Sequence, residues 1–329
     1  MPDVHEPGTE GRAAEAPPRP AYGLKYYLRR TVLYVLTAYL GFCVLVFLFQ
    51  RQLIYPASRA SNLAPSTAGY SAKDARGVAA TAGDGVKLGG WHILPWRERG
   101  KDFDAALKDG ELVDLVFHGN GGHRGHRLDL YSTLSGFGCH VVAFDYRGYG
   151  DSEGSPTEEG LALDAQAAWE WVRARGVPPE RVVLHGESLG CAVALRLAKE
   201  LSEAGTPPAG LILESPFASL TATACSLYWF LPVRLMLRER YPSDERIGAV
   251  TCPILVFHGH QDPLVKFEHG RRLFDLAPPA SASGVPKRFV ESRNAGHNDL
   301  RAADLEAYEK ALREFLEVLR TPREGAKGR

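Results

Sequence analysis

Hydrophobic and polar positions divide the chain into parts with different patterns. Residues 31–50 form a run of twenty residues without a charged side chain. Residues 77–81 and 86–93 alternate between apolar and polar positions around a Gly-Asp-Gly turn at 83–85, which predicts a β-hairpin. Beyond the hairpin, short apolar runs of strand length alternate with longer segments of helical spacing. This alternation predicts a mostly parallel, doubly wound α/β sheet that is flanked by helices and has an antiparallel start.

The individual elements of this sheet follow from the same pattern. Strands are expected at residues 112–117, 141–145, 181–184, 211–214, 254–258 and 288–291. Helices are expected at residues 123–136, 159–175, 189–203, 269–276 and 302–319, and the turn-rich segment 146–156 is expected to be a loop.

The uncharged run at 31–50 has the length of a membrane-spanning helix, because twenty helical residues cover roughly 30 Å, about the thickness of the bilayer hydrocarbon. The basic residues that precede it begin too late for a signal peptide, and the run has no polar face for a core helix. Basic residues are more numerous before the run than directly after it, which predicts a cytoplasmic N-terminus and a lumenal or extracytoplasmic domain. The lack of any Asn-x-Ser/Thr site in the sequence argues weakly against that orientation.

Domain boundaries are expected where composition changes. The prediction is a disordered tail at 1–30, a transmembrane helix at 31–50, a polar linker at 51–75, an α/β domain at 76–320 with a short insert at about 217–249, and a C-terminal tail at 321–329.

Composition adds limits to this picture. The 329 residues carry a net charge of zero, so nothing in the charge balance points to nucleic acid as a partner. The five cysteines are scattered without a Cys-x-x-Cys pair, so no disulfide framework or zinc site is predicted, and no cofactor is expected. The oligomeric state is left open.

The most informative motif is Gly186-x-Ser188-x-Gly190, which lies between a predicted strand and a predicted helix. A strand that turns sharply into a helix holds the residue at the bend in a strained conformation, and glycines on either side leave room for it. The motif therefore predicts the nucleophile elbow of an acyl-transfer enzyme, with Ser188 as the nucleophile. The simpler interpretation, a turn that only joins two elements, is disfavoured by the flanking strand and helix.

A serine hydroxyl needs a base and an acid, which in this fold follow on later loops. Asp262 follows a buried strand, and His297 lies between the last strand and the final helix. We therefore expect Asp262 and His297 to complete a triad with the serine. Glu214, at the tip of the preceding strand, is the rival acid. His258 and His260 flank the acid and are expected to be structural.

A tetrahedral oxyanion needs two backbone amides. We expect one from Leu189, directly after the nucleophile, and one from the glycine-rich loop 118–122, where Asn120 is preferred and Gly121 is the next choice. The same loop, with Asp145 about twenty residues on, also suggests a dinucleotide site. The glycine spacing departs from Gly-x-Gly-x-x-Gly, and a cofactor site would leave the triad unexplained.

Five motifs together carry a family resemblance: His-Gly-Asn-Gly-Gly at 118–122, Phe-Asp-Tyr-Arg-Gly-Tyr-Gly-Asp-Ser at 144–152, the elbow, Leu-Ile-Leu-Glu-Ser-Pro-Phe at 211–217 and Gly-His-Asn-Asp at 296–299. They resemble the α/β-hydrolase family, and within it the membrane-anchored group that includes monoacylglycerol and lysophospholipid lipases. The resemblance implies a triad of Ser188, Asp262 and His297, oxyanion amides at Asn120 and Leu189, and a lipid or other acyl ester substrate at a membrane.

The resemblance does not separate esters from the thioesters of acylated proteins or from short peptides, because thioesterases and serine peptidases have similar elbows. A non-catalytic binding protein on the same fold is the alternative from another class. Residues 227–237 form a short apolar and aromatic stretch of the insert. This stretch either cradles an acyl chain or covers the core, and the sequence favours neither.

Overall fold

The computed structural model of the protein describes residues 23–321. The chain divides into two units, Met1–Val46 and Phe47–Arg329. A single helix, α1 (Leu24–Ile54), runs through the first unit and into the second.

Helix α1 is 31 residues long and its most apolar window has a mean hydropathy of 2.5. Its large apolar side chains are exposed, Leu40 by 65%. A helix this long and apolar is able to cross a bilayer, and exposure distinguishes it from a buried core helix. The predicted span 31–50 lies inside it, but α1 begins earlier, so the prediction of a tail reaching residue 30 is wrong for its last residues. Residues 1–22 and 322–329, where the tails are predicted, lie outside the described residues.

The second unit is built on one eight-stranded sheet. Its strands are β1 (Ala75–Thr81), β2 (Lys87–Ile93), β3 (Val113–Phe117), β4 (His140–Phe144), β5 (Val182–Glu187), β6 (Gly210–Glu214), β7 (Ile254–Gly259) and β8 (Arg288–Ser292). The order is β1-β2-β4-β3-β5-β6-β7-β8. The β1–β2 and β2–β4 pairings are antiparallel and all others are parallel. The prediction of a mostly parallel sheet with an antiparallel start is confirmed.

Helices cover both faces of this sheet. They are α2 (Phe103–Ala106), α3 (Leu128–Gly136), α4 (Glu158–Arg173), α5 (Leu189–Glu203), α6 (Leu220–Leu227), α7 (Val233–Met236), α8 (Ser243–Arg246), α9 (Phe267–Leu276), α10 (Leu300–Ala303) and α11 (Leu305–Arg320). Two apolar clusters result, one beneath α4, α5 and α9 and the other beneath α3 and α11. Strands between two such layers are buried on both sides, which is why they are continuous apolar runs in the sequence.

Two predicted helices are divided in the structure. The helix expected at 302–319 is interrupted at Asp304, whose φ of −149° and ψ of 63° are not helical, so that α10 and α11 are separate. The helix expected at 123–136 begins instead with a 3₁₀ turn, Arg124–His126, which the side chain of His123 caps. Apolar spacing alone does not predict such interruptions, because the apolar face of the helix continues across them.

The expected polar linker at 51–75 is not a free linker. Its first residues belong to α1, and Pro65–Ala68 forms a 3₁₀ turn. Tyr55 and Leu63 are buried in the two apolar clusters, and the indole N–H of Trp91 donates to the Leu63 carbonyl at 2.6 Å. The prediction failed because these buried residues are isolated among polar ones, which is the composition of a linker.

The insert at about 217–249 consists of α6, α7 and α8. Its apolar stretch is exposed rather than buried: Trp229 is 83% and Leu235 88% accessible. The interpretation that these side chains cover the core is therefore wrong for the most exposed of them.

Candidate active site

The Gly-x-Ser-x-Gly motif forms a sharp bend between β5 and α5. Ser188 lies at the bend with a φ of 51°, a conformation that is strained for a residue with a side chain. A Cβ on Gly186 would lie 2.5 Å from the Cα of Cys191, and a Cβ on Gly190 would lie 1.9 Å from the carbonyl oxygen of Phe117. Both positions therefore require glycine, and the close packing holds the serine hydroxyl above the end of the strand.

The structure brings Ser188, His297 and Asp262 together in a hydrogen-bonded row. His297 Nε2 lies 2.9 Å from Ser188 Oγ, and His297 Nδ1 lies 2.6 Å from Asp262 Oδ2. With the ring proton on Nδ1, the imidazole donates to the carboxylate and accepts the hydroxyl proton. Ser188 and His297 are partly accessible, whereas the Asp262 side chain is fully buried. Ser188 is therefore open to solvent, while the carboxylate of Asp262 is shielded from it.

Asp262 is held as a carboxylate. Burial alone would raise its pKa, but hydrogen bonds from His297 and from the backbone N–H of Val265, together with the nearby His258, outweigh burial and hold the pKa well below its ordinary value. Oδ1 accepts the N–H groups of Leu264 and Val265 at 2.9 and 2.7 Å. The second oxygen is thereby left for the imidazole.

The two other histidines near the acid take different positions. His258 Nε2 lies 3.6 Å from an Asp262 oxygen and 2.9 Å from the Val265 carbonyl, so this ring supports the acid loop. The ring of His260 stacks on Phe267 with their centroids 3.9 Å apart and does not contact the row. Neither ring reaches the serine, in agreement with the expected structural roles.

The glycine-rich loop after β3 packs against the nucleophile. A Cβ on Gly119 would lie 3.4 Å from the Cβ of Ser188, so the backbone of this loop borders the serine. Asn120 is exposed, and its side-chain amide donates to the carbonyl of Ile54 at 3.2 Å. Leu189 is the first residue of α5, where a backbone N–H has no acceptor within the helix. Gly119 and Leu189 thus both adjoin Ser188, and the oxyanion amides at Asn120 and Leu189 stay a prediction.

The rival candidates have other partners. Glu214 is buried and accepts from Tyr308, and His185 Nε2 lies 2.7 Å from its Oε1. Asp145 is also buried and accepts from the backbone N–H of Arg124 at 2.6 Å and from the guanidinium of the same residue. With its carboxylate so engaged, Asp145 is not available to a ribose. Within residues 23–321, no group of three or more His, Cys, Asp or Glu side chains is placed to hold a metal ion.

A network of buried charges beneath the elbow was not predicted from the sequence. Burial alone would lower the pKa of His185, but the carboxylates of Asp114 and Glu214 on the neighbouring strands outweigh it and raise the pKa to about 9. Burial would also raise the pKa of Glu214, which Arg301 and His185 lower to about 2. A charged residue at the centre of an apolar strand, as Asp114 and His185 are, is the only sequence signal of this network.

A second unpredicted ion pair lies directly before the nucleophile. The guanidinium of Arg127 donates twice to Glu187, at 2.8 and 3.2 Å, and Arg301 Nη2 lies 3.3 Å from the same carboxylate. Arg127 also donates to the carbonyl of Gly121 at 2.8 Å. Arg127 therefore links the residue before Ser188 to the glycine-rich loop.

Comparison with known proteins finds relatives over most of the second unit. The family model described as serine aminopeptidase, S33, matches residues 111–243. The lysophosphatidylserine lipase ABHD12 of Danio rerio is 39% identical over 230 residues, which cover 63% of this chain and 60% of that protein. The chain thus spans less than two-thirds of that relative. The uncharacterized protein Rv2307c of Mycobacterium tuberculosis is 39% identical over 282 residues, which cover 84% of this chain and 90% of that protein.

Among solved structures, the esterase Pf2001 of Pyrococcus furiosus has a TM-score of 0.63 and 20% sequence identity, over 82% of this chain and 98% of that chain. At this identity the likeness concerns the fold.

Proposed function

Because the chain belongs to the α/β-hydrolase family, we propose that it is a serine hydrolase that cleaves carboxylic esters of lipids, such as monoacylglycerols or lysophospholipids. The observation that carries the proposal is the hydrogen-bonded row of Ser188, His297 and Asp262 beside a partly accessible hydroxyl. A row of this kind activates a serine hydroxyl as the nucleophile of acyl transfer.

In the proposed reaction His297 Nε2 takes the proton of Ser188 as Oγ attacks the ester carbonyl carbon. The oxyanion receives hydrogen bonds from the backbone amides of Leu189 and Asn120. The imidazolium, stabilised by the Asp262 carboxylate, then gives its proton to the leaving alcohol, and an acyl-enzyme remains. Water repeats the sequence with His297 as base, so that the fatty acid leaves and the hydroxyl of Ser188 is restored.

Two features support a lipid substrate. The insert exposes Leu227, Tyr228, Trp229, Phe230 and Leu235, each by 40% or more. Exposed aromatic and aliphatic side chains grouped in one insert are typical of a surface that contacts lipid or another apolar partner. The relative in Danio rerio is named a lysophosphatidylserine lipase. An ester with one long acyl chain fits both features.

We further propose that α1 anchors the enzyme in a membrane, with the N-terminus in the cytoplasm and the catalytic domain on the lumenal or extracytoplasmic side. The support is the length and apolarity of α1 and the excess of basic residues before it. A protease added to the cytoplasmic side of sealed vesicles should leave the domain intact. Digestion of the domain under these conditions would contradict the orientation.

The decisive experiment is a hydrolysis panel with the full chain in detergent: a monoacylglycerol, a lysophospholipid, an acyl thioester and an aminoacyl amide. The amide is included because the matching family model is described as a serine aminopeptidase. Ser188→Ala should abolish hydrolysis of the preferred class. Activity confined to the thioester or the amide would replace the lipid-ester proposal with a thioesterase or a peptidase.

Ser215→Ala is the matched control. Ser215 follows β6 as Ser188 follows β5, and it also has a positive φ, of 50°. Its side chain is buried, and its Oγ has no hydrogen-bond partner within residues 23–321. The substitution therefore removes a hydroxyl from an equally strained bend without access to substrate. Equal, feeble rates in wild type and Ser188→Ala would instead support a non-catalytic binding protein.

A further inference from the structure

A pocket of about 620 Å³ lies between the insert and α9, and Ser188, His297 and Asp262 are not among the residues that line it. Six charged residues line it: Arg234, Arg240, Arg272, Asp244, Glu245 and Glu268. None of them is among the site residues predicted from the sequence, and the proposed acyl transfer uses none.

Most of these charges are not neutralised by one another. Arg272 pairs with Asp244 at 3.1 Å. The other four charged residues of the pocket form no ion pair within residues 23–321. They are two arginines, Arg234 and Arg240, and two glutamates, Glu245 and Glu268. Unpaired guanidinium groups in a concave site are the protein's usual means of binding phosphate or carboxylate, and unpaired carboxylates bind an ammonium group.

The backbone that carries Arg240 is firmly held. Its N–H donates to the buried carboxylate of Glu158 at 2.7 Å, and its carbonyl accepts the N–H of Leu220 at 3.0 Å. The same carboxylate accepts the N–H of Tyr241 at 2.9 Å and is paired with Arg246. Only the side chain of Arg240 is free to adjust, so little backbone entropy is lost when it binds a ligand.

The pocket lies at the same edge of the sheet as the nucleophile. The N–H of Ser188 donates to the carbonyl of Glu214, and Ala218, four residues further along, lines the pocket. Helix α9 carries Glu268, His269 and Arg272 in the pocket lining, and it also packs on His258, which supports the acid loop: a Cβ on Gly270 would lie 2.1 Å from that ring. The pocket is therefore a charged site at the end of the sheet where Ser188 lies.

We propose that this pocket binds a zwitterionic phosphoester headgroup of the substrate, with Arg234 and Arg240 on the phosphate and Glu245 and Glu268 on the ammonium group. The inference rests on the proposed lipid-ester hydrolysis and specifies which lipid is preferred. The two arginines then determine specificity, and the bond-breaking steps are carried out by Ser188, His297 and Asp262.

The test compares three substrates with one acyl chain: a lysophosphatidylethanolamine, a lysophosphatidylglycerol without an ammonium group, and a monoacylglycerol without a phosphate. The double substitution Arg234→Gln/Arg240→Gln should raise KM for both phosphate-bearing substrates about tenfold or more and leave kcat/KM for the monoacylglycerol unchanged. Glu245→Gln/Glu268→Gln should weaken only the preference for the ethanolamine headgroup.

Arg238→Gln is the matched control, because Arg238 is an exposed arginine of the same insert that does not line the pocket and lies over the ring of Phe47. It should leave all three KM values unchanged. Unchanged KM values in the Arg234→Gln/Arg240→Gln variant, with wild-type hydrolysis intact, would overturn the pocket proposal alone.

A binding measurement separates the pocket from catalysis. Calorimetric titration of Ser188→Ala with glycerophosphoethanolamine should show saturable binding that the two arginine substitutions remove. If the wild-type protein hydrolyses no lipid and this binding is still seen, the pocket is supported and the proposed function is refuted. Inorganic phosphate that binds as tightly as glycerophosphoethanolamine would overturn the assignment to a lipid headgroup.

Discussion

Replacement of Asp262 by asparagine should keep the hydrogen-bonded arrangement with Ser188 and His297 and reverse the tautomer of His297. Oδ1 of Asp262 accepts the backbone N–H groups of Leu264 and Val265, and Oδ2 faces Nδ1 of His297. In an asparagine the carbonyl oxygen must face the two backbone donors, because the NH₂ group cannot accept them. The NH₂ group then donates to Nδ1, and the ring proton moves to Nε2. A protonated Nε2 cannot accept the hydroxyl proton of Ser188.

The expected loss follows from this tautomer. Substitution of the acid by its amide in a serine triad costs roughly 10⁴ in kcat, or about 5.5 kcal/mol in the activation free energy. The loss of one charge-assisted hydrogen bond costs folding stability only about 1.5–3 kcal/mol. Circular dichroism melting therefore distinguishes a change of tautomer from a loss of folded protein.

The assay is the initial rate of p-nitrophenyl butyrate hydrolysis at pH 7, with Glu214→Gln as the matched control. Glu214 is the other acid at the end of a neighbouring strand, and it contacts His185 and Tyr308 rather than His297. The folded Glu214→Gln variant should keep at least a tenth of the wild-type kcat. An Asp262→Asn variant that keeps a tenth of the wild-type kcat, or a Glu214→Gln variant that loses as much as Asp262→Asn, would contradict the expected change of tautomer.

Three further predictions concern the support of the site. Gly190→Ala should lower both melting temperature and activity, because its Cβ would lie 1.9 Å from the Phe117 carbonyl oxygen, whereas Gly83→Ala, with nothing within 4 Å, should change neither. His185→Phe should lower the free energy of unfolding by about 3–5 kcal/mol in urea titrations, because it removes the charged partner of the buried Asp114 and one partner of Glu214; a loss below 1 kcal/mol would contradict this. Because the folded-state pKa of His185 is raised to about 9, its charge contribution to stability should be complete below about pH 6.5 and be lost as pH rises through 9. Urea midpoints that fall equally with pH in wild type and His185→Phe would disprove that assignment.

Parts of the site that lie on consecutive elements were predictable from the sequence. Strand, bend and helix around Ser188 follow one another in the chain, so the glycine spacing carries the local geometry. The chain order of acid and base depends on parallel strands that end at one edge of the sheet, and the apolar runs predict those strands. Asp262 and His297 could therefore be named, although the 2.6 Å contact between them could not.

Parts that depend on partners distant in the chain could not be predicted. The side chain of Gln50, near the end of α1, accepts the backbone N–H of Arg238 at 2.8 Å and donates to the carbonyl of Met236 at 3.3 Å. Met236 follows Gln50 by 186 positions and Arg238 follows it by 188, and no sequence periodicity relates residues so far apart. The linker prediction failed for the same reason, since Tyr55 contacts Tyr241 through a hydroxyl–hydroxyl bond of 2.6 Å.

These distant contacts make the end of α1 part of the catalytic domain. Arg51 pairs with the buried carboxylate of Glu239 at 2.8 Å, and the same carboxylate accepts the N–H of Glu158 at 2.6 Å. Glu158 in turn holds the backbone of Arg240, which lines the charged pocket. A buried carboxylate is stable only while its partners remain in place. The segment that leaves the proposed membrane anchor therefore stabilises the backbone that positions the proposed headgroup site.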